Sequence, residues 1–94
     1  MTMAAEDPNR EPAAAFVYVL RCGDGSLYTG VAKDLAARIG QHETGRASRY
    51  TRAHLPVVLV WWCECESWGA ALREEHRIKQ LTRVEKEELI KARG

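Results

Sequence analysis

The sequence contains no apolar run that approaches the ~18 residues required for a membrane-spanning helix. It also lacks a secretion signal, because residues 1–15 carry acids and prolines where a signal peptide has a basic and then an apolar region. Cysteine is scarce: there are 3 in 94 residues, and an odd number without a secretion signal indicates reduced thiols. We therefore expect a cytoplasmic protein that has no association with membranes.

The few cysteines also argue against a zinc site. Cys63 and Cys65 lie two residues apart in an apparent strand, so both side chains should point to the same face. A zinc site needs about four ligands at turn-like spacing, which this pair does not supply. We interpret these cysteines as small, buried, apolar side chains.

The length of the chain, 94 residues, suits one small domain. Residues 1–15 are rich in alanine, proline and acids and have no periodic apolar pattern, which predicts a disordered tail. Residues 16–94 would then form the single folded domain.

Positive charge is concentrated in one quarter of the chain, although the net charge is only +1. Residues 33–54 carry 5 Lys and Arg against 2 Asp and Glu, a balance of +3. Such clustering favours a polyanionic partner, and a solvated surface loop is the alternative explanation. The basic residues of this segment are Lys33, Arg38, Arg46, Arg49 and Arg52.

The stretch from Phe16 to Gly30 predicts a β-hairpin. Residues 16–20 form a continuous run of β-branched and aromatic side chains, which is typical of a strand covered on both faces. Residues 22–26 contain two glycines that suit positive φ angles in a turn, and residues 27–31 return as the second strand. Because glycine leaves room above a strand, we expect Gly30 to let a backbone or a ligand come close.

A helix and a further strand follow the hairpin. Asp34 is a candidate N-cap for a helix over residues 35–42. Residues 46–54 should form a loop or a short helical turn. Residues 57–65 are apolar on both faces, which predicts a central strand on which every second residue from position 57 shares one face.

Two more helices complete the predicted architecture. Ser67 is expected to cap a helix over residues 68–80, and Thr82 and Glu85 have capping-box spacing for a third helix that ends near Ala92. The predicted fold class is α/β, more narrowly α+β. It is a three-stranded antiparallel sheet flanked by helices, in the order β-β-α-β-α-α.

Glu75 is the least expected residue of the second helix. By helical spacing it falls near an apolar stripe formed by Ala71, Leu72 and Ile78. An unpaired carboxylate buried there would cost several kcal/mol, so Glu75 must meet a cation. Its partner is either Lys79 four residues later, another basic side chain, or a metal ion.

Phosphodiester hydrolysis requires a base for the attacking water and cationic donors for the non-bridging oxygens. It also requires a metal or an acid for the leaving oxygen, and a positive surface for the strand. The sequence has a candidate for each role, although each candidate alone also has an ordinary structural explanation. The candidate catalytic residues are Tyr18, Tyr28, Arg38, His42 and Glu75.

The spacing of these residues resembles a known family. The sequence VY at 17–18, followed by YTG at 28–30, is similar to the paired motif of the GIY-YIG nucleases. Arg38 stands eight residues after the second motif, where that family carries a helical arginine, and His42 one turn later matches a position often held by histidine. The first motif lacks its glycine and the second has Thr29 in place of isoleucine.

The resemblance extends from Phe16 to about Lys91 and is greatest to the small stand-alone bacterial members of the family. Glu75, four residues before Lys79, matches the metal-binding glutamate. Many members also carry an asparagine late in the domain, whereas the only asparagine here is Asn9.

The resemblance implies a metal-dependent endonuclease that cuts DNA to give a 5′-phosphate and a 3′-hydroxyl. One divalent ion, Mg²⁺ or Mn²⁺, would bind Glu75 and a phosphate oxygen. Tyr18 would be the general base and Tyr28 would orient the water or the phosphate, with the reverse assignment left open. Arg38 would lower the pKa of the phenol and stabilise the pentacoordinate phosphate, and His42 would assist the water or the base.

DNA would be held through its backbone with little sequence specificity. The expected nucleic-acid-binding residues are Lys33, Arg46, Arg49, Tyr50, Arg52 and Lys79. Two alternatives stay open. One is a nucleic-acid-binding module with weak or no catalysis, which the missing late asparagine favours, and the other is a structural or protein-interaction role. The oligomeric state is not predicted.

Overall fold

Three antiparallel strands form one sheet in a computed structural model of the protein, which describes residues 14–93. The strands are β1 (Ala15–Cys22), β2 (Leu27–Ala32) and β3 (Val57–Cys65). The helices are α1 (Leu35–Glu43), α2 (Arg49–Ala53), α3 (Trp68–Lys79) and α4 (Arg83–Arg93). The predicted α+β class and element order are confirmed, and α2 is a short additional helix within the arginine-rich segment.

The strand order β2-β1-β3 places β1 at the centre of the sheet. Side chains of β1 therefore enter a hydrophobic cluster on each face, as its apolar run predicts. Val17 and Val19 lie in the cluster that includes Ala71 and Ile78 of α3. On the opposite face, Tyr18 and Leu20 lie in the cluster that receives side chains from α1.

The prediction that residues 57–65 form a central strand is wrong, because β3 lies at an edge of the sheet and Val58 is 59% exposed. The predicted single face is also wrong. Val19 pairs with Trp61 but Leu20 pairs with Leu59, so Val60 is the extra residue of a β-bulge. Leu59 and Trp61 consequently pack into different clusters, on opposite faces of the sheet.

The helix N-termini follow the predicted caps. The Asp34 carboxylate accepts a hydrogen bond from the backbone of Ala37 at 3.0 Å, and Ser67 Oγ accepts one from the backbone at position 70. Thr82 and Glu85 form the reciprocal capping box. In α3, however, Leu72 is 42% exposed, so it does not belong to the buried stripe in which the helical spacing places it.

The two glycines of the hairpin turn have different functions. Gly25 has a φ of +87°, as predicted, whereas Gly23 does not have a positive φ. Gly23 instead allows a close approach, because a Cβ there would lie 2.5 Å from the carbonyl oxygen of Leu55. The Gly23 N–H donates to the carbonyl of His54 at 2.7 Å, which ties the turn to the end of α2.

β1 begins at Ala15, one residue before the predicted boundary between tail and domain. The rest of the predicted tail, residues 1–13, lies outside the described residues, as do Asn9 and Gly94. In the described part of the chain no helix has the length and apolar character needed to cross a membrane.

Candidate active site

Tyr18 is held at the centre of the sheet, with its phenol over the neighbouring strand. It is 1% exposed and pairs with Gly30 of β2. A Cβ at Gly30 would lie 2.5 Å from Tyr18 Oη, so the space above this glycine is filled by the phenol rather than by a backbone or a ligand. Because β2 is an edge strand, the phenol is directed toward the open edge of the sheet.

His42 and Tyr28 lie against this phenol. α1 brings His42 Nε2 to 2.7 Å from Tyr18 Oη, and His42 is fully buried. The Tyr28 ring centroid lies 5.2 Å from that of His42 and 6.5 Å from that of Tyr18. The hairpin and α1 thus form one aromatic wall, which the sequence spacing alone could not establish.

Arg38, one turn before His42 on α1, is half-buried. It lines a cavity of about 300 Å³ with Lys33, Gln41 and Trp68. The pKa of Tyr18 is raised to about 12, mainly by burial and also by the charge of Tyr28, while Arg38 opposes the increase through its charge and a hydrogen bond.

The protonation of the resting site follows from these effects. Burial lowers the pKa of His42, and the neighbouring charge of Arg38 lowers it further. At neutral pH the phenol of Tyr18 is therefore protonated and the imidazole of His42 is neutral. Arg38 does lower the pKa of the phenol, as expected, but burial outweighs it.

Glu75 extends from α3, and its side chain is 20% exposed. Its Oε2 lies 3.1 Å from Nζ of Lys79, so the cation that its position requires is the one four residues later. The charge of Glu75 also acts on Tyr18, where it raises the pKa of the phenol. Glu74 forms a separate pair, with its Oε1 3.0 Å from Nε of Arg77.

The donor set around Glu75 fits only certain metal ions. Residues 14–93 contain no group of three or more His, Cys, Asp or Glu side chains that could together hold a metal. One carboxylate suits a hard ion that keeps several water ligands and binds substrate phosphate, as Mg²⁺ does. Glu75 is thus compatible with Mg²⁺ or Mn²⁺ and not with a closed zinc site.

The predicted nucleic-acid-binding residues line three cavities. Lys33 lines the cavity that contains Arg38. Tyr50 and Lys79 line a second cavity of about 440 Å³, to which Tyr28 also contributes. The third, of about 370 Å³, is bordered by the arginines of the α2 segment, which are Arg46, Arg49 and Arg52. The arginines therefore line a different cavity from the catalytic candidates.

Tyr50 is part of the aromatic packing as well as of a cavity wall. Its ring is nearly parallel to that of Tyr28, with centroids 6.1 Å apart, and it stacks on His54 at 4.4 Å. Its hydroxyl donates to Ser26 in the hairpin turn. Tyr50 thus connects α2 to the hairpin.

Several polar and aromatic residues at the site were not identified from the sequence. Trp68 and Lys86 line the cavities beside Arg38 and Tyr28, respectively. Thr51 is fully buried and contacts His42, and Ser48 contacts Thr51. Ser48 has an N-cap pattern that sequence inspection can detect, but the contact between Thr51 and His42 joins two helices and has no local signal.

Comparisons with known proteins show the family of the chain. The family described as the GIY-YIG catalytic domain matches residues 14–88. A UPF0213 protein of Staphylococcus aureus is 47% identical over 78 residues, which cover 83% of this chain and 95% of the relative.

Two solved structures are also similar. The solution NMR structure of the UPF0213 protein BH0048 from Bacillus halodurans has 40% identity and a TM-score of 0.57, and the match covers 85% of each chain. That of the protein EF2693 from E. faecalis has 32% identity and a TM-score of 0.57, with 89% of this chain and 88% of that chain covered. The chain therefore belongs to the GIY-YIG family, among its small bacterial members.

Proposed function

We propose that the protein is a divalent-metal-dependent endonuclease that hydrolyses phosphodiester bonds of DNA. One observation carries the proposal. The phenol of Tyr18 is hydrogen-bonded to His42, and the charges of Arg38 and Glu75 both affect its pKa. This grouping supports the assignment of a base, a proton acceptor, a cationic donor and a carboxylate to one site. These are the groups that hydrolysis of a phosphodiester requires.

Tyr18 acts as the general base in this mechanism. Its pKa of about 12 means that it is protonated at rest, so it must release its own proton before it can take one from water. His42 Nε2, 2.7 Å away, is the acceptor within reach. The phenolate then removes a proton from the attacking water, while Tyr28 orients the water or the phosphate.

Arg38 and Glu75 act on the phosphate. The Arg38 guanidinium stabilises the phenolate and the charge that develops on the non-bridging oxygens. Glu75 would hold Mg²⁺ or Mn²⁺, which supplies Lewis-acid stabilisation of charge on the phosphate when bound. The pair between Glu75 and Lys79 does not prevent this, because partly exposed ion pairs contribute only about 0–1 kcal/mol. Cleavage leaves a 5′-phosphate and a 3′-hydroxyl.

DNA is held by its backbone on the basic surface around the site. The binding residues are Lys33, Arg46, Arg49, Tyr50, Arg52 and Lys79. We also propose that the protein acts in the cytoplasm, which is consistent with three cysteines that are all free.

Matched glutamate variants test the nuclease proposal. Plasmid, single-stranded and branched DNA are incubated with the wild type, Glu75→Ala and Glu74→Ala, with and without Mn²⁺. Glu75→Ala should abolish cleavage without unfolding the protein, whereas Glu74→Ala, which removes only the pair with Arg77, should cleave normally. Arg38→Ala should lower the rate about 10²–10³-fold.

The other outcomes separate the alternatives. Cleavage that persists in Glu75→Ala refutes the mechanism. DNA binding by a wild type that cleaves nothing in Mn²⁺ favours the nucleic-acid-binding module. Tyr28→Phe with a larger loss of rate than Tyr18→Phe would assign the base to Tyr28 instead.

A further inference from the structure

The hydrogen bonds of the site continue past His42 into α2. His42 Nδ1 lies 2.8 Å from Thr51 Oγ1, and Thr51 Oγ1 lies 3.0 Å from Ser48 Oγ. Thr51 and His42 are both fully buried. The mechanism proposed above gives no role to Thr51 or to Ser48, although three successive hydrogen bonds join them to Tyr18 through His42.

The hydrogen bonds that join these four side chains can run in two directions, which differ in the neutral tautomer of His42. The Tyr18 hydroxyl carries one proton, and Arg38, which also contacts the phenol, can only donate. In the direction that the proposed mechanism uses, this hydroxyl donates to His42 Nε2 at 2.7 Å, and Nε2 is unprotonated. The neutral imidazole then carries its proton on Nδ1 and donates it to Thr51 Oγ1. Thr51 Oγ1 is free to accept because its own proton has acceptors in Ser48, at Oγ and at the backbone carbonyl.

The local structure of α2 holds the threonine hydroxyl in place. Ser48 is the N-cap of α2, and its Oγ accepts a hydrogen bond from the backbone N–H of Thr51 at 3.1 Å. Threonine is restricted at χ1 by its branched Cβ, and this one has no solvent into which it could rotate. The loss of a hydrogen-bond partner by a buried hydroxyl costs about 1–3 kcal/mol of stability, which opposes any rearrangement of these hydrogen bonds.

We propose that Thr51, supported by Ser48, is a positioning residue that holds His42 in the tautomer whose Nε2 accepts the Tyr18 hydroxyl proton. The catalytic part of this proposal rests on the nuclease function proposed above. The assignment of the tautomer does not rest on that function, because the tautomer is a property of the free protein.

The proton transfer needs no further reactant. The Tyr18 Oη–H bond breaks, its electron pair stays on oxygen, and a new Nε2–H bond forms on His42. The phenolate then takes a proton from the attacking water, while the Nδ1–H of the imidazolium remains bonded to Thr51. After the product leaves, His42 releases its extra proton to solvent, and the 3′-oxygen is protonated from solvent.

The first test is independent of cleavage. Long-range ¹H–¹⁵N correlation spectra of the full-length labelled chain, without DNA or metal, distinguish the two neutral tautomers of a histidine. Because the chain has 3 histidines, His54→Gln and His76→Gln variants assign the signals. We expect His42 to carry its proton on Nδ1. A proton on Nε2 in the wild type would overturn the proposal, whether or not the protein cleaves DNA.

The second test removes only the threonine hydroxyl. Thr51→Val keeps the shape of the side chain, and Thr51→Ser keeps the hydroxyl. In Thr51→Val we expect His42 to populate the Nε2–H tautomer, with kcat about 10²-fold lower and KM unchanged. Thr51→Ser should restore both the tautomer and the rate to near wild type.

The remaining outcomes are also decisive. A Thr51→Val variant that keeps the Nδ1–H tautomer, or that changes KM but not kcat, would overturn the positioning role. If Thr51→Val does not fold, the wild-type spectrum and Thr51→Ser still decide the tautomer. If the wild type cleaves nothing, the proposed function fails while the spectra of both Thr51 variants still test the role of the hydroxyl.

Discussion

At the scale of single residues, the position of Tyr18 depends on a residue without a side chain. The phenol lies over Gly30 because no Cβ is present there, and this places Oη within reach of His42. The family motif thus has a steric reason in this chain: its tyrosine in one strand requires the glycine in the next.

Gly30→Ala is therefore expected to displace Tyr18. The added Cβ would lie 2.5 Å from Oη of a ring that is packed and hydrogen-bonded, so the free energy of unfolding should fall by about 1–3 kcal/mol. Cleavage should be lost, because Oη would move away from His42. Urea denaturation and the cleavage assay measure the two effects.

Gly40→Ala is the matched control for this substitution. Gly40 lies within α1 and a Cβ there would meet no atom within 4 Å, so the stability should stay the same or rise by up to about 1 kcal/mol. Equal stability of the two variants would contradict the account of Gly30.

The sequence was sufficient to predict a set of candidate site residues but not how they contact each other. The motif spacing predicted Tyr18, Arg38 and Glu75 as candidates, since each occupies a defined position on a strand or helix. The burial of His42 and its contact with Thr51 depend on how α1 packs against α2, for which the sequence contains no local pattern.

At the scale of elements, α4 is joined to the hairpin by a charged cluster as well as by apolar contacts. Glu87 of α4 accepts two hydrogen bonds from Arg21 of β1, at 2.7 and 2.9 Å, and one from Arg83 at 2.9 Å. Arg83 also donates to the carbonyl of Gly25 in the turn, at 2.8 Å. The hydrogen bond from Arg21 is the main reason that the pKa of Glu87 is lowered to about 2.

Acid unfolding should reveal this cluster. Because the folded-state pKa of Glu87 lies below the ordinary value of about 4.3, its carboxylate stabilises the fold fully above that pH. The contribution is lost as the pH falls through about 2. The wild type should thus be more stable than Glu87→Gln at neutral pH, and the difference should shrink below about pH 4. Urea unfolding across this pH range measures the difference in stability. A difference that does not change with pH would contradict the role assigned to Glu87.

Glu88→Gln is the control for the acid experiment. It removes an exposed carboxylate at the next position of α4, so its effect at neutral pH should be smaller than that of Glu87→Gln.

Element boundaries were predictable from the sequence where a local signal marks them. They were not predictable where they depend on which strands pair. The caps at Asp34, Ser67 and Thr82 each involve residues within three positions, so their spacing was sufficient. The edge position of β3 depends on which strand pairs with β1, and the bulge at Val60 depends on that register. An apolar run alone contains neither kind of information.

At the scale of the whole molecule, the basic segment predicted from composition borders two cavities. Lys33 and Arg38 line one, and the α2 arginines line the other. Composition established the excess of charge, whereas its division between two surfaces depends on the tertiary fold. If DNA is held mainly by about four arginine–phosphate contacts, the binding constant should depend on salt with a log–log slope of about 3–4.

Neutralising one of these arginines should change that slope. In the Glu75→Ala background, which prevents cleavage, Arg49→Gln should weaken DNA binding and lower the slope by about 1. Arg73→Gln removes an exposed arginine of α3 that lines none of the three cavities, so it should leave the slope unchanged. Fluorescence anisotropy across a salt series measures both, and equal slopes would exclude the α2 arginines from binding.

Glu75 lies far from the hairpin in the sequence, so the two parts of the site are synthesised at different times. The two phenols and the guanidinium leave the ribosome well before α3, which carries the carboxylate. A nascent or prematurely terminated polypeptide would hold these groups without the acid that completes them. If the protein is the nuclease proposed above, a polypeptide that ends before α3 would be unable to cleave DNA.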